Sequence, residues 1–365
     1  MESATARDKA TQSKLERAGD LAARASSLQP GDPSLRRGLH AGIAIVVVLG
    51  VGLAVVAALG DFPHVDWRFR PVALGLSILA FTIYLLGSAE IWRRLLRALG
   101  PDLPPLRANA IWFASGLGRY VPTALLLPMI RMAMAEREGV PKRITLASVV
   151  YEFTLLITGS VVISAYFVIT LPDLEGIWQR YLVLVLPAIA LIAIHPRVFH
   201  PLADWALTRT GRSTLPLSLP GWRSLEFVAL YSVACLIAGL GVYCLAQAIF
   251  PVAADDLPTV VSSYAVANTV SILAFVLPGG LGAREASMAV ALHPVMPTAP
   301  AVAVAVLSRI VQVGLEVVLA LGTVMLTRRQ QSAGAASSST ARTARATSIP
   351  DSAGRRAWPS SPDPP

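Results

Sequence analysis

The chain has 365 residues, 54% of them hydrophobic and 15% charged, and several uninterrupted apolar stretches reach the roughly 20 residues that a bilayer span needs. This excludes an ordinary soluble domain and reads as an all-α, polytopic integral membrane protein. The formal net charge of +9 is accounted for by topology and by attraction to anionic lipid headgroups, so nucleic acid is not an expected partner.

Residues 1–38 carry Arg7, Lys9, Lys14, Arg17, Arg24, Arg36 and Arg37 and read as a mostly disordered segment on the cytoplasmic side. The first span runs from Leu39 to Gly60. It is too long and too late in the chain for a cleaved signal peptide. A second runs from Pro71 to Trp92, and Arg93, Arg94, Arg97 and Arg107 place the following loop inside.

From Ala108 to Met134 an apolar stretch is broken by Gly116-Leu-Gly-Arg-Tyr-Val-Pro122. Proline removes a backbone donor and glycine relaxes the helix, so a helix breaks here. Each arm has about ten residues, or roughly 15 Å of helix, half a hydrocarbon core. Arms that short suggest a re-entrant hairpin opening to the cytoplasm, between Arg107 and the basic set Arg137, Lys142 and Arg143. The alternative is an amphipathic helix pair on the surface.

A third span runs from Ile144 to Thr170 and a weaker one, with Arg180 near its start and Pro187 inside, from Ile177 to Ile194. The acidic connection Leu171 to Gly176 falls outside and Arg197, Arg209, Arg212 and Arg223 fall inside. In the span Leu225 to Phe250, Cys235 and Cys244 are separated by more than 10 Å along the helix axis, which excludes a disulfide between them. The scattered histidines show no metal-ligand spacing. No metal or other cofactor is expected.

After the acidic connection Pro251 to Pro258, a second broken segment carries Pro278, Gly279, Gly280, Gly282 and the pair Arg284-Glu285. If Leu257 to Leu277 crosses fully, Ala286 to Val295 must cross with too few residues. A hairpin over Leu257 to Pro297, entering from outside, removes that difficulty and is the favoured reading. Two broken hairpins from opposite faces is the pattern of inverted repeats in secondary transporters, whose sites form at broken helices near the midplane. The last span is Val302 to Leu326. The expectation is about six full spans plus two broken hairpins, or eight spans, with the membrane domain at 39–326. Residues 327–365 form a cytoplasmic tail that begins with Arg328 and Arg329 and reads as disordered, being poor in aliphatic side chains from 331 onward.

Arg119, Glu152, Arg284, Glu285, Arg309 and Glu316 lie in or beside apolar segments, where an isolated charge costs at least about 3 kcal/mol at mid-depth. Such residues pair with one another or line a polar cavity. Salt bridges that lock helices together are one reading. The other is a lipid-headgroup pathway, because arginine offers a planar donor fork suited to bidentate phosphate contact. Glu316 lies two turns after Arg309, and Gln312 falls between them on the same stripe.

Leu277-Pro-Gly-Gly-Leu-Gly-Ala-Arg-Glu285 resembles the Pro-Gly-Gly-x-Gly-x-Arg-Glu signature of the lysylphosphatidylglycerol synthase transmembrane family, the flippase-like domain family of bacterial and archaeal membrane proteins. Gly118-Arg-Tyr-Val-Pro122 resembles its Gly-Lys/Arg-Tyr-Leu-Pro element, Glu152 sits in the following span, and Ser308-Arg309-Ile310 opens the last one. Thr123 departs from the pattern, standing where a glycine commonly follows the proline. The resemblance covers residues 75–326 and adds Tyr120 and Arg131 to the headgroup-binding candidates, with Gly116, Gly118 and Pro122 as hinge positions. No counterpart of the aminoacyl-transferring domain of longer relatives is found in the sequence.

The resemblance implies lipid translocation, or a partner role beside enzymes of cell-envelope biosynthesis; with no nucleotide motif in the sequence, the expectation is nucleotide-independent translocation of a phosphate-bearing lipid or lipid-linked sugar across a bacterial cytoplasmic membrane. No Walker sequence, dinucleotide fingerprint or nucleophile elbow points to catalysis. The enzymatic alternative is a glycosyl or acyl transferase acting on a lipid, with Glu152 or Glu285 as base. The charge asymmetry gives a direct test of topology: a cysteine introduced at Asp255 is expected to react with an impermeant reagent outside intact cells, and one at Ser337 is not. The reverse pattern overturns the orientation.

Overall fold

A computed structural model describes residues 69–120, 126–170, 219–273 and 282–347, with short pieces between 178 and 201. These residues all fall in one compact unit, 54–365. They form helices α1 (Pro71–Ala98), α2 (Pro105–Gly116), α3 (Leu126–Arg137), α4 (Lys142–Thr170), α5 (Val185–Ile194), α6 (Gly221–Ile249), α7 (Leu257–Leu273), α8 (Ala283–Leu292) and α9 (Thr298–Thr347). Short 3-10 turns precede α3 and α7. Among the described residues there is no strand.

Four helices, α1, α4, α6 and α9, are long and apolar enough to cross a membrane. They coincide with four of the spans read from the sequence, and the protein is an all-α, multi-pass membrane protein. Each extends past its apolar stretch into polar residues. In α1 the extension carries Arg93 and Arg94, both paired with Glu90 one turn earlier, at 2.7 and 3.0 Å. The span expected at Leu39 to Gly60 and the N-terminal segment lie outside the described residues. Of the span expected at Ile177 to Ile194, the helical part described is α5, ten residues or about 15 Å long.

α9 also departs from expectation. Its backbone stays helical to Thr347, through residues that the sequence reads as disordered. Alanine and arginine are strong helix formers, and adding residues to a helix already nucleated by packing avoids the cost of nucleation. Residues 348–365 of the tail lie outside the described residues.

In lipid, apolarity does not select which face of a helix turns inward; small residues and polar contacts do. α1 exposes Leu76, Leu79, Ile83 and Leu86 while burying Phe81, Leu85, Trp92 and Leu96, and both sets are equally apolar. Its inner face is marked by Ser77, whose hydroxyl donates to the Gly241 carbonyl of α6 at 2.8 Å. α4 and α7 are joined similarly, with Asn268 donating to Ser160 at 2.8 Å and Ser164 and Thr269 at 3.2 Å. Three apolar clusters fill the interior, and Tyr84 packs against all of them.

Helix α6 approaches α7 closely at Gly239. A Cβ added at Gly239 would lie 2.3 Å from the Val261 carbonyl oxygen, which is backbone and has no room to yield. Gly239→Ala is therefore expected to destabilise the protein by about 1–3 kcal/mol. Gly87→Ala, where nothing lies within 4 Å, is expected to be neutral or slightly stabilising. Thermal unfolding of the two purified variants in detergent checks the contrast.

Candidate functional site

The site is organised by one stripe on α9. Arg309, Gln312 and Glu316, three and four residues apart, share a face of the helix, and each reaches a broken segment. Glu316 accepts from the Tyr120 hydroxyl at 2.9 Å and pairs with Arg119 at 3.6 Å. Gln312 accepts from Arg284 at 2.7 Å and donates to the Tyr264 hydroxyl at 3.3 Å. Arg309 stands 3.8 Å from Glu285, its guanidinium 5.0 Å above the Tyr120 ring. Both breaks therefore converge on the same two turns of α9.

The first break lies between α2 and α3, each 12 residues or about 18 Å long. The two helices pack against each other, and α2 also packs on α1 and α9. Ala108, Ala110, Ile111, Trp112, Phe113 and Ser115 of α2 are buried, more of its circumference than an amphipathic surface helix could bury, whereas α3 buries only Leu127, Arg131 and Ala135, one face. The chain then tightens into the 3-10 turn Leu117–Tyr120. A Cβ at Gly118 would meet the Leu127 backbone nitrogen at 3.0 Å, so glycine lets the second arm fold back more closely than a side chain would without a small shift. Arg119 donates to the Gly116 carbonyl at 2.9 Å, lies 6.0 Å from the Trp112 ring and keeps 34% of its side-chain surface exposed.

Arg131 is different. At 1% exposure it pairs with Glu152 of α4, donates to Ser115 at 2.9 Å and lies between the rings of Trp92 and Trp112, at 5.0 and 6.0 Å. Trp112 donates to the other Glu152 oxygen at 2.7 Å. Both carboxylate oxygens are thereby engaged, and the cluster ties α1, α2, α3 and α4 together. Burial of both charges is tolerated because stacking and hydrogen bonds accompany the ion pair.

The second break lies between α7 and α8, which pack against each other. α8 has ten residues, too few to cross a membrane alone. Gly282 opens it at φ +82°, in the left-handed region that favours glycine. Glu285 caps the helix, accepting from the Gly282 N–H at 2.8 Å. Arg284 is 4% exposed and stacks 5.1 Å from the Tyr264 ring. Its Nε has no hydrogen-bond partner, and among the described residues no carboxylate pairs with it. The sequences of 121–125 and 274–281, the two breaks themselves, contain no acidic residue.

The structure thus gathers all the charged candidates, Arg119, Arg131, Glu152, Arg284, Glu285, Arg309 and Glu316, together with Tyr120, into one connected network. Gly116, Gly118 and Gly282 flank it; Pro122, Pro278, Gly279 and Gly280 lie outside the described residues. Sequence reasoning missed Trp92, Trp112, Ser115 and Tyr264. Trp112 carries the one usable signal, standing two turns before Arg119 on a helix; the others come from contacts distant in the chain.

A comparison with known families matches residues 39–322 to the lysylphosphatidylglycerol synthase TM region. The chain belongs to that family. The lysylphosphatidylglycerol synthase TM region is a membrane domain linked to lipid modification and flippase-like roles. No curated protein matches the chain. Within this family domain the Arg131–Glu152 pair is buried deeply enough that losing one partner strands the other. Arg131→Met is expected to cost about 3–5 kcal/mol, and Arg131→Met with Glu152→Leu to recover most of it, as read by thermal unfolding.

Proposed function

We propose that the chain binds a phosphate-bearing lipid, or lipid-linked sugar, at this network and moves it between leaflets without nucleotide hydrolysis. The observation that carries this reading is Arg284: a buried guanidinium on a broken, glycine-opened segment, with no carboxylate within ion-pair distance among the described residues. An uncompensated charge of that kind is costly within a membrane domain, and its planar donor fork fits a phosphate. Arg119, a third exposed and paired with Glu316 at 3.6 Å, is placed to exchange a carboxylate for a headgroup oxygen. The two breaks supply polar backbone where transporter sites form.

The transferase reading has less support. Glu152 is engaged at both oxygens by Trp112 and Arg131 and is no free base, while Glu285 caps α8 with one oxygen and holds the other 3.8 Å from Arg309 without a hydrogen bond. The proposed setting is a bacterial cytoplasmic membrane with both termini inside and the working domain at 39–326. In liposomes carrying a fluorescent anionic phospholipid, Arg284→Ala is expected to abolish translocation while the purified variant unfolds at the wild-type temperature, and Arg284→Lys to retain part of the rate. Wild-type translocation by folded Arg284→Ala overturns the assignment.

A further inference from the structure

We propose that the site is matched to a headgroup bearing a single net negative charge, a phosphodiester without a compensating amine. This rests on the lipid-binding reading above and adds a charge rule to it. The rule comes from a count that closes pair by pair. Arg131 is matched by Glu152, Arg119 by Glu316 and Arg309 by Glu285. Among the described residues Arg284 alone has no carboxylate within ion-pair distance, and its side-chain partners, Gln312 and Tyr264, are neutral.

The network therefore carries one unit of positive charge in a place where uncompensated charge is expensive. One negative unit neutralises it. A zwitterionic headgroup brings its own cation and leaves the surplus in place. A dianion overshoots and leaves a buried negative charge, and either imbalance is penalised by the low dielectric. The neutral partners of Arg284 also separate the roles of the residues. Gln312 holds one end of the guanidinium against Tyr264 without cancelling its charge, so Gln312 is a positioning residue and Glu285 and Glu316 set the balance.

The count makes opposite predictions for opposite substitutions. Arg284→Gln removes the surplus, while Glu316→Gln or Glu285→Gln raises it to two. The test is binding to the purified full chain, by native mass spectrometry and by competition in detergent at pH 9, of three lipids with identical acyl chains. These are phosphatidylcholine (zwitterionic), phosphatidylglycerol (monoanionic) and phosphatidic acid (dianionic at this pH). The wild type is expected to prefer phosphatidylglycerol by about tenfold over phosphatidylcholine and to bind phosphatidic acid no better than phosphatidylglycerol. Arg284→Gln is expected to lose the preference over phosphatidylcholine. Glu316→Gln is expected to shift the preference to phosphatidic acid, and Glu285→Gln, on the other break, does the same should Glu316→Gln fail to fold.

Lipid bound and translocated by the wild type with no charge preference overturns the charge rule and leaves the lipid reading standing. An Arg284→Gln protein that keeps the phosphatidylglycerol preference overturns it too. Folded wild type that retains none of the three lipids overturns both.

Discussion

The cost of placing charge in a membrane domain is the constraint on which the rest of this structure depends. Seven ionised side chains come from α8, α9, α4, the 3-10 turn and α3, and no helix could carry its share alone. They are tolerable because Arg309 and Glu316 of α9 each meet a partner of opposite sign on a different broken segment, at 3.8 and 3.6 Å. The breaks and the stripe explain one another. The short arms bring Arg119, Arg284 and Glu285 to α9, which supplies the surface on which both arms close.

Within the network two regimes coexist. Around Arg131 the guanidinium is enclosed by Glu152, Ser115 and two tryptophan rings, and the cluster behaves as a fastening between helices. Around α9 the ion pairs are longer, Arg119 keeps a third of its side-chain surface exposed, and among the described residues Arg284 has only neutral side-chain partners. On the proposed reading the enclosed cluster holds the arms in place while the cations around α9 meet the anion.

Much of this was legible in the chain. Arg284 and Glu285 stand out because a Pro-Gly-Gly-Leu-Gly run precedes them, and Arg119 because two glycines and a proline flank it. The Arg309–Gln312–Glu316 stripe follows from helical spacing alone. Of the two readings left open for the charges, the salt-bridge description fits Arg131 with Glu152, whereas among the described residues Arg284 has no carboxylate within ion-pair distance. Trp92 and Tyr264 were not legible, since an aromatic in an apolar span looks the same whether it faces lipid, core or a guanidinium.

By itself the sequence determined that this is an all-α, multi-pass membrane protein, where four of its long helices run, and where two others break. Those properties follow from apolar length and from the local backbone chemistry of glycine and proline, which act within a few residues. Only the tertiary structure decided which charges cancel. Arg131 meets Glu152 across 21 residues, Tyr120 meets Glu316 across 196, and Arg284 meets an amide instead of a carboxylate. Pairing across such separations depends on how helices pack, and in lipid that packing is selected by close approaches such as Gly239 on Val261. No periodicity along the chain records it.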